Sequence, residues 1–151
     1  LYLDPTYIFA NLREGARHTK RGRGSIQYNV SATLQVTDGR VLIDRYFPGF
    51  PNGHAFDVKT ASVPSTDIDE PLYLDIRGVR NPSTKARNVR YRIAVSSGWL
   101  TTFRIEWDKT IVSRGEMEAV CIDAGKFVGV GNGRNIGMGR FEVISFDVTN
   151  A

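Results

Sequence analysis

The chain has a single cysteine, Cys121, and two histidines, His18 and His54, in 151 residues. One cysteine excludes an internal disulfide and a multi-cysteine metal site, and it agrees with a reducing compartment. Cys121 is expected in the core. Any acid–base pair or activated nucleophile would have to use one of the two histidines, and neither sits in a local motif. His18 reads as a surface residue among basic neighbours, and His54, in Pro51-Asn52-Gly53-His54-Ala55-Phe56-Asp57, as part of a structural loop. The acids Asp67, Asp69 and Glu70 lack calcium-loop spacing, so neither a metal nor another cofactor is expected. No apolar run approaches the roughly 20 residues of a membrane-spanning helix, and Leu1 to Pro5 lack the basic-then-apolar pattern of a signal peptide. The expectation is a soluble, cytoplasmic protein with no membrane partner. A start at Leu1 rather than Met suggests trimming, processing or a sequence read only where it is ordered.

What is present is a modest excess of positive charge, +4 overall, with an uneven distribution. Arg13, Arg17, Lys20, Arg21 and Arg23 form one basic stretch. Arg77, Arg80, Lys85, Arg87, Arg90 and Arg92 form a second, and Lys126, Arg134 and Arg140 a third. Such a balance permits a nucleic-acid partner without requiring one. The length fits one domain spanning residues 1–151, large enough to bury a core.

From Pro5 to about Lys20, Ile8, Leu12, Gly15, Ala16 and Thr19 recur at helical spacing, with Asp4 placed to cap and Pro5 suited to the first turn. Lys20 to Gly24 should follow as a mobile basic loop. Alternation at Tyr28, Val30, Ala32, Leu34 and Val36, then Asp38-Gly39, predicts a β-hairpin with Val41 to Phe47. Residues 48–71, rich in proline and small polar residues, read as a long irregular insertion. Leu72 to Ile76 predicts a short strand and Asn81-Pro82-Ser83-Thr84 a turn. Val89 to Val95 and Leu100 to Trp107 predict a central hairpin. Ser113-Arg114-Gly115-Glu116 matches a capping box for a helix burying Met117, Val120, Cys121 and Ala124, stopped at Gly125. Phe141, Val143, Ile144, Phe146 and Val148 predict a final buried strand. The class is α+β, with an antiparallel sheet and two helices.

The segment Lys126 to Arg140 is the leading candidate for function. Gly129, Gly131, Gly133, Gly137 and Gly139 remove side-chain bulk, so backbone N–H groups can approach a phosphate or another backbone closely. Arg134 and Arg140 can add charge-assisted contacts. The run follows a helix and opens a strand, which excludes the dinucleotide fingerprint, and it lacks the Lys-Ser/Thr ending of a P-loop. Its ordinary alternative is a tight connection whose glycines serve turns and packing. The basic stretches have their own alternative as a solvated face. Tyr91, Phe103 and Trp107 read as core, although Tyr91 between Arg90 and Arg92, and Trp99 at a turn, are also placed to stack on unpaired bases.

Helix, glycine-rich loop and terminal strand, taken in that order, resemble the RAMP superfamily, the ferredoxin-like RNA-binding proteins of CRISPR-associated complexes, and more closely phage-type relatives of their backbone subunits. The matching residues are Leu12 to Arg17, the Arg90 to Trp107 segment, and Ala124 to Arg134 leading to Gly137-Met138-Gly139-Arg140-Phe141-Glu142-Val143. The resemblance covers the first 20 or so residues and the last 65 or so, and it implies a modified ferredoxin-like fold with a glycine-rich loop near RNA. Such a unit has a strand before its first helix, which Leu1 to Leu3 is too short to supply. No cleavage site carries over.

The expected function is therefore non-catalytic binding of single-stranded RNA or DNA, preferably RNA, in a homo- or hetero-oligomeric assembly. The expected contacts are Arg17, Lys20, Arg21, Arg23, Lys126, Gly131, Gly133, Arg134, Gly137, Gly139 and Arg140. A phage-type structural or assembly protein and a metal-independent endoribonuclease using His54 or His18 are the alternatives.

Overall fold

A computed structural model of the chain describes residues 1–47 and 63–149. It is an α+β protein: α-helices α1 (Pro5–Gly15), α2 (Gln27–Thr33) and α3 (Arg114–Asp123) with short strands β1 (Tyr2–Leu3), β2 (Lys20–Arg21), β3 (Gly24–Ser25), β4 (Gln35–Val36), β5 (Val41–Leu42) and β8 (Ile105–Glu106), and two longer strands, β6 (Leu72–Arg80) and β7 (Arg87–Val95). The strands pair two by two rather than in the one antiparallel sheet expected. The chain divides into two compact units, Tyr2–Val41 with Thr102–Ala151, and Leu42–Thr101 with Leu1.

The first unit is built on α1 and α3. Asp4 accepts the Thr6 N–H at 2.9 Å and Pro5 opens α1, as the sequence predicts. Ile8, Asn11, Leu12, Gly15 and Ala16 are buried, one stripe of a helix. The helix ends at Gly15, short of the expected Lys20, because the chain then turns back. Thr19 donates its hydroxyl to the Asp123 carboxylate at 2.6 Å, and Gly22, at φ +60°, closes a tight antiparallel hairpin pairing Lys20 with Ser25 and Arg21 with Gly24. The expected mobile loop is thus a hairpin anchored by Arg21.

The strand expected at Tyr28 to Val36 is instead α2. Ile26, Val30 and Leu34 are buried while Tyr28 is 84% exposed, so the apolar period that won is four, not two. The chain extends only at Gln35 and Val36, which pair with Glu106 and Ile105. Asp38 therefore does not turn a hairpin onto Val41; its carboxylate accepts the Arg104 N–H.

The capping box of α3 is formed in both directions: Ser113 Oγ accepts the Glu116 N–H, and Glu116 accepts the Ser113 N–H. Met117, Val120, Cys121 and Ala124 are buried as expected. Burial pushes the Cys121 thiol up to about 12, with Glu118 adding to it, so its reactive thiolate is scarce at neutral pH. Gly125 does not stop the helix. The coil widens into a π turn over Ala124–Val128 and ends at Gly129, φ +79°. Residues 141–149 form no regular strand, and Ile144 is 81% exposed, so the final buried strand is not present. The segment is tied instead by Phe141 N–H to the Gly125 carbonyl, Arg114 to the Phe146 carbonyl, and the Trp107 and Phe146 rings at 6.0 Å.

Arg21 joins the hairpin to the start of α3. Its Nε and Nη2 each donate to the Glu116 carboxylate at 2.8 Å, and Nη2 donates to the Ile111 carbonyl at 2.8 Å. The Arg21 guanidinium, followed by the Ser113 N–H, holds the Glu116 carboxyl down at about 2 from an ordinary 4.5. The folded value is the lower one, so the stabilisation is complete above the unfolded value and is lost as pH falls through the folded one. The gap in melting temperature between the wild type and Glu116→Gln is expected to narrow from about pH 5 to pH 2. A thermal-denaturation series checks this, and a gap independent of pH would refute the pairing.

The second unit carries a long hairpin, β6 with β7, in continuous register from Leu72↔Val95 to Arg80↔Arg87. Strand β6 is longer than Leu72 to Ile76, and β7 pairs with it rather than with Leu100 to Trp107. The Asn81 turn explains the choice. Asn81 Oδ1 accepts the Ser83 and Thr84 N–H groups at 2.9 and 3.3 Å, and a short loop closes at a lower entropic cost than a long one. Leu72, Leu74 and Ile76 lie opposite Val95, Ile93 and Tyr91, with Tyr91 67% exposed rather than in the core. Of the predicted insertion, residues 48–62 lie outside the described residues, as does His54. No helix of the described residues is long and apolar enough to cross a membrane.

Candidate nucleic-acid interface

The glycine-rich segment folds as a closed loop. Val130 N–H donates to the Gly139 carbonyl at 2.8 Å, pinching its two ends together. That closure needs glycine on both sides. Gly129 and Gly139 stand at φ +79° and +73°, and a Cβ on Gly129 would lie 2.8 Å from the Gly139 oxygen, while one on Gly139 would strike the Val130 carbonyl. Between them, Arg134–Ile136 makes a single 3-10 turn flanked by Gly133 and Gly137. The Ile136, Gly137 and Met138 N–H groups donate to the Gly133 and Arg134 carbonyls. The loop spends much of its backbone on itself, so charge for a ligand comes from side chains.

Helix α1 supports this loop from below. Buried Asn11 donates Nδ2 to the Ala124 carbonyl at 3.2 Å and the Gly129 carbonyl at 2.7 Å, spanning the π turn from end to end. Gly15 lets the π turn approach: a Cβ there would stand 2.5 Å from the Ala124 Cβ. The exposed edge of α1 is thereby brought beside the loop, and the two enclose an open cleft of about 550 Å³, within the range of small-ligand sites.

Arg13, Glu14 and His18 line one side of the cleft, and Phe127, Arg134 and Arg140 the other, with Asn135 at the loop turn. The π turn carries Phe127 outward, 44% exposed, with its ring 5.0 Å from that of His18. Lys126 Nζ stands 5.3 Å over the same ring, and its carbonyl accepts from Arg140 Nη1 at 3.0 Å. The cleft therefore combines an exposed aromatic surface with three guanidinium groups. Glu14, the acid among them, accepts from Arg13 at 3.5 Å and Arg17 at 3.2 Å.

Of the residues singled out from the sequence, Arg134 and Arg140 line the cleft, and Gly131, Gly133, Gly137 and Gly139 shape the loop beside it. Arg17 reaches it through Glu14, and Lys126 through Phe127. Lys20, Arg21 and Arg23 are exposed on or beside the short hairpin and are not among the residues lining the cleft, with Arg21 committed to Glu116. Sequence reasoning counted Arg13 in a basic stretch but not among the expected contacts, missed Glu14, Phe127 and Asn135, and took His18 for an ordinary surface residue. Helical spacing was the available signal, since Ala10, Arg13, Glu14 and His18 lie within two turns on one edge of α1 and the turn after it.

Among the described residues, no group of three His, Cys, Asp or Glu side chains is placed to hold a metal ion. Comparison with protein-family models, curated proteins and solved structures finds no match to this chain.

Proposed function

We propose that this chain binds single-stranded nucleic acid, preferably RNA, without cleaving it, in the cleft between α1 and the glycine-rich loop. The observation that carries this reading is Phe127 against His18, flanked by Arg13, Arg134 and Arg140. An unpaired base offers a π face to the exposed ring, and stacking of this kind tolerates any base. The guanidinium groups offer planar donors to the phosphates on either side. On this reading the chain is a modified ferredoxin-like unit of RAMP type with a reduced sheet, working in an oligomeric assembly. A role as an assembly or structural protein is the second reading, favoured by the exposed apolar residues Ile76, Val89 and Tyr91 on the long hairpin.

Fluorescence anisotropy of labelled single-stranded RNA and DNA, across a salt series, tests the first reading on nuclease-treated protein. Affinity should fall with salt. In Arg134→Ala/Arg140→Ala the affinity should drop roughly tenfold or more, and the log–log salt slope should shrink by about 1.4, two phosphates at about 0.7 each for a single strand. No saturable binding at low salt would remove this reading and leave assembly as the better one.

A further inference from the structure

Glu14 is out of place in a site made only to hold phosphates. Its side chain is a third exposed on the wall of a cleft otherwise lined by Arg13, Arg134 and Arg140, where it opposes the approach of any anion. It is not consumed by its neighbours. Oε1 accepts from Arg13 at 3.5 Å, the limit of a hydrogen bond, and Oε2 from Arg17 at 3.2 Å, which leaves lone pairs on both oxygens.

We infer that Glu14 selects guanine for the base that stacks on Phe127. This rests on the nucleic-acid reading above and goes beyond it, from an indifferent stacking surface to a base-specific one. An ionised carboxylate only accepts, and its two oxygens are spaced to take two parallel donors. Guanine is the base whose Watson–Crick edge presents two donors side by side, N1–H and the N2 amino group. Cytosine and adenine each present one amino group beside a bare acceptor nitrogen. Uracil presents one N–H between two carbonyl oxygens, which face the carboxylate with like partial charge. Asn135, which also lines the cleft, carries an amide of the kind that donates to guanine O6. A site that satisfies a base through paired hydrogen bonds discriminates against bases that leave those groups unpaired.

The test uses labelled oligouridine strands of equal length carrying one central guanosine, adenosine or cytidine, or none, titrated against the full chain and its Glu14→Gln and Glu14→Ala variants. Wild-type protein is expected to bind the guanosine strand about tenfold more tightly than the others, as a bidentate base contact provides. Both variants should lose that preference, so that within each variant the guanosine strand binds no more tightly than the all-uridine strand. Equal wild-type affinity for all four strands overturns the selection and leaves RNA binding standing. No binding of any strand overturns the nucleic-acid reading itself. A uniform loss of affinity in the variants with the guanosine preference retained would make Glu14 a positioning residue for Arg13 and Arg17, which also overturns the inference.

Discussion

Replacing Gly15 by alanine is expected to lower the free energy of unfolding by about 2 kcal/mol, against the sign that helix propensity alone would give. Alanine in place of a helical glycine ordinarily gains up to about 1 kcal/mol. Here the added methyl would stand 2.5 Å from the Ala124 Cβ, 2.6 Å from its Cα and 2.8 Å from its backbone nitrogen. None of these atoms is the end of a flexible side chain. Either α1 or the π turn must move, and both are fixed by buried neighbours, Leu12 and Ala16 on one side and Val120 and Cys121 on the other. Overpacking of a filled interior costs about 1–3 kcal/mol and outweighs the propensity gain. Gly15→Val, larger and β-branched, should cost more still, a large part of the about 5–15 kcal/mol that a domain has. Urea unfolding followed by circular dichroism measures both. A Gly15→Ala variant at least as stable as the wild type would mean that α1 and the π turn do not meet at this distance.

How much of this was legible beforehand depends on how local each signal is. The Asp4 cap, the Ser113 capping box and the Asn81 turn each involve side chains bonding to backbone a few residues away, so the sequence carries them completely. The buried face of α3 was legible for the same reason. Region 26–36 was not, because Val30 and Leu34 lie four apart and fit a two-residue and a helical period equally. Ile26, buried with them, fits both periods too; the decision shows at Tyr28 and Ala32, which a strand would place on the same face and which are exposed. Alternation marks Val89 to Val95 as a strand but does not identify its partner, and it gives no guarantee that Phe141 to Val148 has one at all.

The cleft was half legible. Arg134, Arg140 and the glycines belong to one conspicuous segment, whereas Arg13, Glu14 and His18 enter from more than a hundred residues away in sequence. One of the contacts that hold them there is a buried amide, Asn11, whose partners Ala124 and Gly129 are 113 and 118 residues distant. Asparagine on the inner face of a helix was not singled out from the sequence, although a buried polar side chain in a core position requires a partner.

That amide carries the other large prediction. Asn11→Asp changes almost no volume, yet it puts a second oxygen where Nδ2 now donates, 2.7 Å from the Gly129 carbonyl and 3.2 Å from that of Ala124. Asn11 Oδ1 is already buried with no donor among the described residues, so nothing on that side would compensate. An ionised carboxylate in this position is a buried, unpaired charge, costing about 3–5 kcal/mol. If it takes up a proton it keeps one of the two bonds, but its folded pKa is then raised above the ordinary carboxylate value. The sign of the pH dependence follows. The deficit relative to wild type is full above the raised folded pKa and shrinks as pH falls toward about 4, where the unfolded group is also protonated. Asn11→Ala serves as the control, because it strands the same two carbonyls without a charge and should show a smaller deficit that pH leaves unchanged. Thermal unfolding of the three proteins from about pH 8 to about pH 4 separates these outcomes. Since the same two bonds hold the loop against α1, Asn11→Ala should also weaken RNA binding under conditions where it remains folded, while Arg134 and Arg140 are both still present. If it binds as the wild type does, the loop keeps its place without the amide, and Asn11 serves stability alone.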